Sequence, residues 1–450
     1  MRTTPTLRRA VPARTNTSPS AIAALPAGRD LVVDLVRVGC MFAVVAVHLL
    51  MIGISVKGGI TIVNPLTDIT WFAQGTWWGQ VMPLFFVVGG FASLTSWRSA
   101  QRKAAQHAPD VVPTSTVAAS YLRARLLRLV RPTVALYAFL AVALWTAYFA
   151  GAPTDLLKAI AVGSGVQLWF LAAYLICQLL VPVLAACHER ARWLTALTLL
   201  AASVIVDLVR FSTGQEAWGL LNMVFLWSLV QQLGFFYADG LFSRMRRWQL
   251  AAVALSCYLL LIPLTHGGPY PVDMLSAENP PMMPLVLIGL AQICLVVLCY
   301  PALNWLTRQS AVQKVMYVVG SRSMTIYLWH LPLIIAMFGV ALLVGLPFPE
   351  PGSAGWWLSR PLFYLAAFGV VLLVTRPLTR LELAPTTLRP GTTAPSLWLV
   401  VLATLLATAG PFAVLREGLN LDNVLWGLLG LVAALFLVRD LRWPARIVSA

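Results

Sequence analysis

The sequence predicts an all-α polytopic integral membrane protein of about twelve transmembrane helices, on three observations. Of the 450 residues, 59% are hydrophobic and only 11% are charged, and the mean hydropathy is +0.81, beyond the range of a water-soluble domain of this length. Apolar runs long enough to cross a bilayer recur from end to end; at roughly 20 residues per crossing, this length has room for about ten to thirteen helices. Basic residues alternate in density from one connection to the next, as they do when alternate connections face the cytoplasm. The net charge of +16 is therefore read as a topology signal. No basic, aromatic-rich soluble module is present to suggest a nucleic-acid partner.

Residues 1–28 hold Arg2, Arg8, Arg9 and Arg14 among Thr, Ser, Pro and Ala. Without an uninterrupted apolar core, this segment reads as a flexible basic tail and not as a cleaved signal peptide. The apolar runs follow at 31–53, 77–97, 133–150, 166–187, 193–209, 218–238, 249–264, 284–303, 323–346, 360–375, 395–415 and 422–438. With the tail inside, the inner connections and termini carry 26 of the Arg and Lys residues, the outer connections carry 5, and Arg37 lies within the first span. That asymmetry predicts an even number of crossings with both termini cytoplasmic. The bias to Arg over Lys, with abundant Ala, Leu and Val, hints at a GC-rich bacterial source and so at a bacterial plasma membrane.

The inner connection 98–131 ends in Arg125-Leu-Leu-Arg128-Leu-Val-Arg-Pro132, whose spacing puts Arg125 and Arg128 on one helix face, with Pro132 near the start of the next span. They suit either a positive-inside anchor on lipid phosphates or a dedicated phosphate site. The outer connections 54–76, 265–283 and 347–359 are rich in Gly, Pro and aromatics and read either as surface loops or as a lid over an acceptor vestibule. All six cysteines fall in or beside apolar spans without a C-x-x-C pair, so they read as small buried hydrophobes, and no metal site is expected.

Ionisable groups inside apolar spans are where chemistry is sought, because their insertion is costly and usually functional. Of five histidines, His107, His188 and His266 fall in connections, while His48 and His330 fall within spans. Arg37 and His48 are eleven residues apart in the first span, which is about 20° past three full helical turns and about 16.5 Å along the axis. They share one stripe, and Asp34, three residues before Arg37, is placed to pair with it. In the ninth span His330 has Tyr327 and Ser323 on its own face at i−3 and i−7. Asp207 and Asp239 fall near span ends, and Gln167, Gln178, Gln231 and Gln292 read as interhelical hydrogen-bond partners.

Arg37-x10-His48 in the first helix after a basic tail resembles the membrane acyltransferase 3 family. Phe85-Phe86-Val-Val-Gly89-Gly90-Phe91 is similar to that family's Phe-Phe-x-x-Ser-Gly-Phe motif, with Gly89 standing where the family usually has serine. Arg125-Leu-Leu-Arg128-Leu-Val-Arg-Pro132 resembles its Arg-x-x-Arg-Ile-x-Pro element, and Trp169-Phe170-Leu171 its Trp-[Tyr/Phe]-Leu segment. Ser323-Met-Thr-Ile-Tyr327-Leu-Trp-His330-Leu-Pro332 resembles its late Ser-Leu-x-Ile-Tyr-Leu-x-His-x-Pro signature. The resemblance covers about residues 30–380, so the chain divides into the tail 1–28, a ten-helix acyltransferase-like core at 29–380, and a C-terminal part, 381–450, with two additional helices.

The resemblance implies transfer of an acyl group, commonly acetyl, from cytoplasmic acyl-CoA as co-substrate to a hydroxyl of a glycan or glycolipid acceptor on the outer face. His48 is then the expected general base and Arg37 the group that orients the donor or stabilises charge at the thioester. His330 supports His48, with Ser323 and Tyr327 behind it. Arg125 and Arg128 hold CoA phosphates, and Trp169 lines the substrate path. The alternative reading is a transporter or flippase for lipid-linked sugars or small solutes, coupled through the same ionisable groups.

Overall fold

The computed structural model describes residues 30–55, 61–67, 69–107, 113–383 and 395–439, so the basic tail lies outside the described residues. Helix α1 (Leu31–Leu50) starts on the Asp30 side chain, which accepts from the Val32 amide at 3.0 Å and so satisfies one of the first-turn donors. It leads into a hairpin of β1 (Gly53–Ser55) and β2 (Thr61–Val63), antiparallel with Ile54 opposite Ile62. A short helix α2 (Thr70–Gly79) follows. The described part of connection 54–76 thus contains a strand pair and a helix.

Helices α3 (Met82–His107) and α4 (Thr114–Phe149) come next. At 36 residues, or about 54 Å, α4 is far longer than a bilayer core. It runs unbroken through Pro132, where a new span was expected to begin, so Arg125 and Arg128 stand on the spanning helix itself. After α5 (Thr154–Gly165), α6 (Leu168–Thr213) is 46 residues, about 69 Å. That is two crossings' worth, and Ala191, at φ −153° and ψ 66°, breaks it within the basic 188–192 connection. The runs at 166–187 and 193–209 are these two limbs.

Then follow α7 (Asn222–Ala238), α8 (Arg247–Ile262) and α9 (Pro284–Leu298), the last bent by 66° against α10 (Tyr300–Thr307). Next come α11 (Ser310–Gly320), α12 (Ser323–Leu343), α13 (Ala354–Leu383), α14 (Leu397–Glu417) and α15 (Leu421–Leu437). Among the described residues, nine segments are long and apolar enough to cross, or ten with the bent pair. Dividing α6 at Ala191 and adding the 17-residue α15 accounts for the rest of the twelve. This is an all-α polytopic membrane protein; one end of the bundle carries Arg37, Arg125 and Arg128, and is called the basic end below.

Helices associate in lipid through close backbone approach and internal polar bonds. α3 and α7 show the first: a Cβ on Gly234 would stand 2.0 Å from the Val87 carbonyl oxygen, and one on Gly90 2.1 Å from that of Gln231. The glutamines supply the second. Gln178 Nε2 donates to Ser93 Oγ at 2.9 Å and Gln292 Nε2 to Gln80 O at 2.6 Å, while Gln231 Nε2 reaches Cys177 O at 3.4 Å.

Three expectations need correction. Asp207 is 1% exposed, its carboxylate accepting from Asn222 Nδ2 at 2.9 Å, the Tyr270 hydroxyl at 3.1 Å and the Met283 amide at 3.0 Å; protein donors replace the solvent expected at a span end. His188 is 2% exposed and bonded to Asp239 at 3.1 Å, with Arg98 on the other carboxylate oxygen at 2.6 Å; its ring packs edge-on against Phe235 and Phe236 of α7, so a connection residue in the sequence is interior. Cys187 on α6 and Cys299 at the bend between α9 and α10 are exposed, unlike the other four cysteines.

Candidate active site

A cavity of about 610 Å³ enters the bundle among α1, α3, α4, α6, α11, α12 and α13, within the range of small-molecule and cofactor sites. Its polar wall carries Asp30, Asp34 and Arg37 from α1 and its cap, Arg125 and Arg128 from α4, and Glu382 near the end of α13. Ser323 stands at the first turn of α12 beside Glu382, and farther in the cavity is lined by Phe85, Gly89, Phe170, Tyr174 and Tyr327. Cations at the mouth and aromatics toward the interior make a site for a ligand with an anionic head and a less polar arm.

Each polar group is held in place by its own element. Arg37 pairs with Asp34 one turn earlier, at 3.2 Å, which offsets part of the cost of a guanidinium at this depth. α1 passes α11 where Gly320 has no side chain, and a Cβ there would stand 3.6 Å from the Arg37 Nη2. Arg125 donates to Ser96 Oγ and lies over the Tyr121 ring at 5.3 Å, while Arg128 is exposed to the cavity. Gly89, in place of the serine that the motif leads one to expect, faces the cavity with Tyr174 3.2 Å from where a Cβ would stand. A hydroxyl side chain would crowd that ring.

Past Tyr327, the interior holds the two span histidines together. His48 Nδ1 is 2.7 Å from His330 Nε2, and His330 Nδ1 is 2.6 Å from the Tyr327 carbonyl oxygen. A carbonyl only accepts, so His330 Nδ1 carries a proton. For neutral rings, His330 Nε2 is then an acceptor and His48 Nδ1 must donate to it. His48 Nε2 is left with its lone pair outward, the form a general base requires. His330 is fully buried, whereas His48 keeps accessible surface.

The Tyr327 carbonyl is positioned by an exchange between α12 and the start of α6. Pro332 has no N–H, so the Leu328 carbonyl lacks its partner within α12. Gln167 Nε2 donates to it at 3.0 Å, and the Tyr327 hydroxyl donates back to Gln167 O at 2.8 Å. The first turn of α12 is fastened from α13: Glu382 accepts from the Thr325 amide at 3.0 Å, its hydroxyl at 2.8 Å and the Met324 amide at 3.4 Å. A carboxylate there satisfies first-turn amides and complements the helix dipole.

Asp34, Arg37, Arg125, Arg128, Ser323 and Tyr327 therefore meet on one cavity, while His48 and His330 form a pair beyond it. Trp169 sits apart, stacked on Trp227 with ring centroids 5.7 Å apart. Sequence reasoning missed Glu382 and the part Gln167 plays. Gln167 is one of several span glutamines, and Glu382 follows a proline-broken basic stretch where an acid carries no periodic signal.

A family model described as an acyltransferase domain matches residues 30–379. No curated protein and no solved structure matches the chain. With that match over more than half its length, the chain belongs to the acyltransferase 3 family.

Proposed function

We propose that the protein moves an acyl group, acetyl in the simplest case, from acyl-CoA at the cytoplasmic face to a hydroxyl of a glycan or glycolipid on the outer face. In this reading the basic end is cytoplasmic, in agreement with the density of Arg and Lys along the chain. The observation that carries it is the hydrogen-bond order Tyr327 O, His330, His48, which leaves a fixed imidazole nitrogen without a proton, within the membrane and beyond an arginine-lined cavity.

The roles follow from charge and position. Arg125 and Arg128 hold the phosphates of the donor, and Arg37, on the same cavity and about three helical turns from His48, orients the donor. The thioester arm runs inward past Phe85, Phe170 and Tyr174. His48 Nε2 removes the proton of the acceptor hydroxyl as its oxygen attacks the acyl carbon. The C–O bond forms, the C–S bond breaks, and the thiolate leaves as thiol by taking the proton back from His48. An alcohol is a weak nucleophile, so a positioned base contributes about 10²- to 10⁴-fold.

The test is label transfer from radiolabelled acetyl-CoA to a cell-envelope extract by purified protein in lipid vesicles. His48→Ala is expected to lower the rate by about 10²- to 10⁴-fold with donor affinity retained. Equal transfer by the variant overturns the general-base role.

A further inference from the structure

The chain between α8 and α9 folds back into the bundle at the end opposite the arginines. After a π-turn at Pro263–Gly267, residues 268–283 run inward, with Met274 and Ala277 fully buried. Their backbone is tied from α2 and its cap: Trp77 Nε1 donates to Val272 O at 2.8 Å, Gln80 Nε2 to Met274 O at 3.2 Å, and the Met274 amide to Thr76 Oγ1 at 2.9 Å. Tyr270 and Met283 anchor both ends of the segment on Asp207.

What this segment carries inward is Glu278, 9% exposed, with Oε1 buried and without a hydrogen-bond partner. Its neighbour Asn279, with the side-chain amide turned to satisfy both its atoms, accepts from Trp169 Nε1 at 3.3 Å. Glu278 lies within electrostatic range of Tyr327, the residue whose carbonyl holds His330. Through Asn279 and Trp169 the segment thus reaches the start of α6, where Gln167 O accepts from the Tyr327 hydroxyl. A buried oxygen with unused acceptor capacity costs about 1–3 kcal/mol, and an indole beside it offers an apolar face with a polar edge.

We infer that Glu278, with Trp169 beside it, is the acceptor subsite: it hydrogen-bonds one hydroxyl of a neutral polyol, such as a sugar ring, while a neighbouring hydroxyl of the same molecule faces His48. The inference rests on the acyl-transfer reading and adds to it the place where the alcohol binds. The proton of the reacting hydroxyl still goes to His48, and Glu278 makes no net proton exchange. Burial pushes the Glu278 carboxyl up to about 8, with Asp273 pushing the same way and Gln80 opposing. Asp273 and Tyr327 are the titratable groups facing it. At pH 7 the group is therefore the neutral acid, able both to donate and to accept, and it ionises as the pH rises past 8.

The test uses the full chain in lipid vesicles with saturating radiolabelled acetyl-CoA, titrating the envelope extract as acceptor and measuring acetyl-CoA binding separately. Glu278→Ala is expected to raise the half-saturating extract concentration by about tenfold or more, the loss of one to two hydrogen bonds, with donor affinity unchanged. Glu278→Gln, isosteric and always neutral, is expected to stay within about threefold of wild type at pH 7 and to lose the alkaline decline that wild type shows above pH 8. Unchanged acceptor saturation in Glu278→Ala, an equal loss of donor binding, or a Glu278→Gln profile that tracks wild type each overturns the subsite. A wild-type protein that transfers no label overturns the acyl-transfer reading itself and the subsite with it.

Discussion

His48 and His330 are 282 positions apart in sequence and 2.7 Å apart in space, and their chemistry is a matter of proton placement. The Tyr327 carbonyl fixes one proton on His330, which in turn fixes one on His48. On the proposed mechanism, His330→Ala removes that order and lets His48 turn its protonated nitrogen toward the acceptor. Holding the wrong tautomer is severe in enzymes that depend on it, so kcat is expected to fall by about 10²- to 10⁴-fold with the KM for acetyl-CoA within a factor of two or so. Steady-state kinetics in vesicles check it; an unchanged kcat would reduce His330 to packing. At this scale the Arg37 and His48 stripe was legible because helical spacing alone sets it. His330 was read as a support for His48, but which ring nitrogens meet was not legible, since a hydrogen bond between remote spans leaves no periodic trace in either one.

Elements hold these residues by repairing their own irregularities. Pro332 takes away the donor that the Leu328 carbonyl needs, and Gln167 at the head of α6 supplies it. Gln167→Ala leaves that buried carbonyl unpaired and frees the Tyr327 end of α12, which should destabilise the fold by about 1–3 kcal/mol. The thermal midpoint in detergent should fall, and transfer activity should fall more than the folded fraction does; an unchanged midpoint means another donor fills the gap. Pro332 was visible in the sequence as part of a motif, but its consequence was not. Nor was the continuity of α4 through Pro132 visible, because a proline interrupts a helix only where neighbouring groups leave its freed carbonyl unmet.

At the scale of the whole molecule, the two helices beyond the family match pack on α4 and α6. α14 and α15 cross where glycine meets glycine: a Cβ on Gly427 would stand 2.4 Å from the Tyr137 ring, and one on Gly410 2.6 Å from the Gly427 Cα. The Arg123 Nε donates to Val438 O at 2.8 Å and ties the end of the hairpin to α4. Gly427→Val is expected to cost about 1–3 kcal/mol through overpacking, seen as a lower midpoint, while activity per folded molecule stays near wild type because neither helix lines the cavity. A selective loss of donor binding would instead tie the hairpin to the site. The sequence by itself determined the solvent, the number of spans and the faces on which Arg37, His48, Arg125 and Arg128 stand, since hydropathy, charge alternation and helical periodicity act over a few turns of one segment. Which faces look at one another was decided only by the tertiary structure. The meeting of α1 with α12, the reach of Glu382 to the first turn of α12 and the insertion of Glu278 from the opposite end all depend on packing between segments far apart in the chain, where local pattern has no hold.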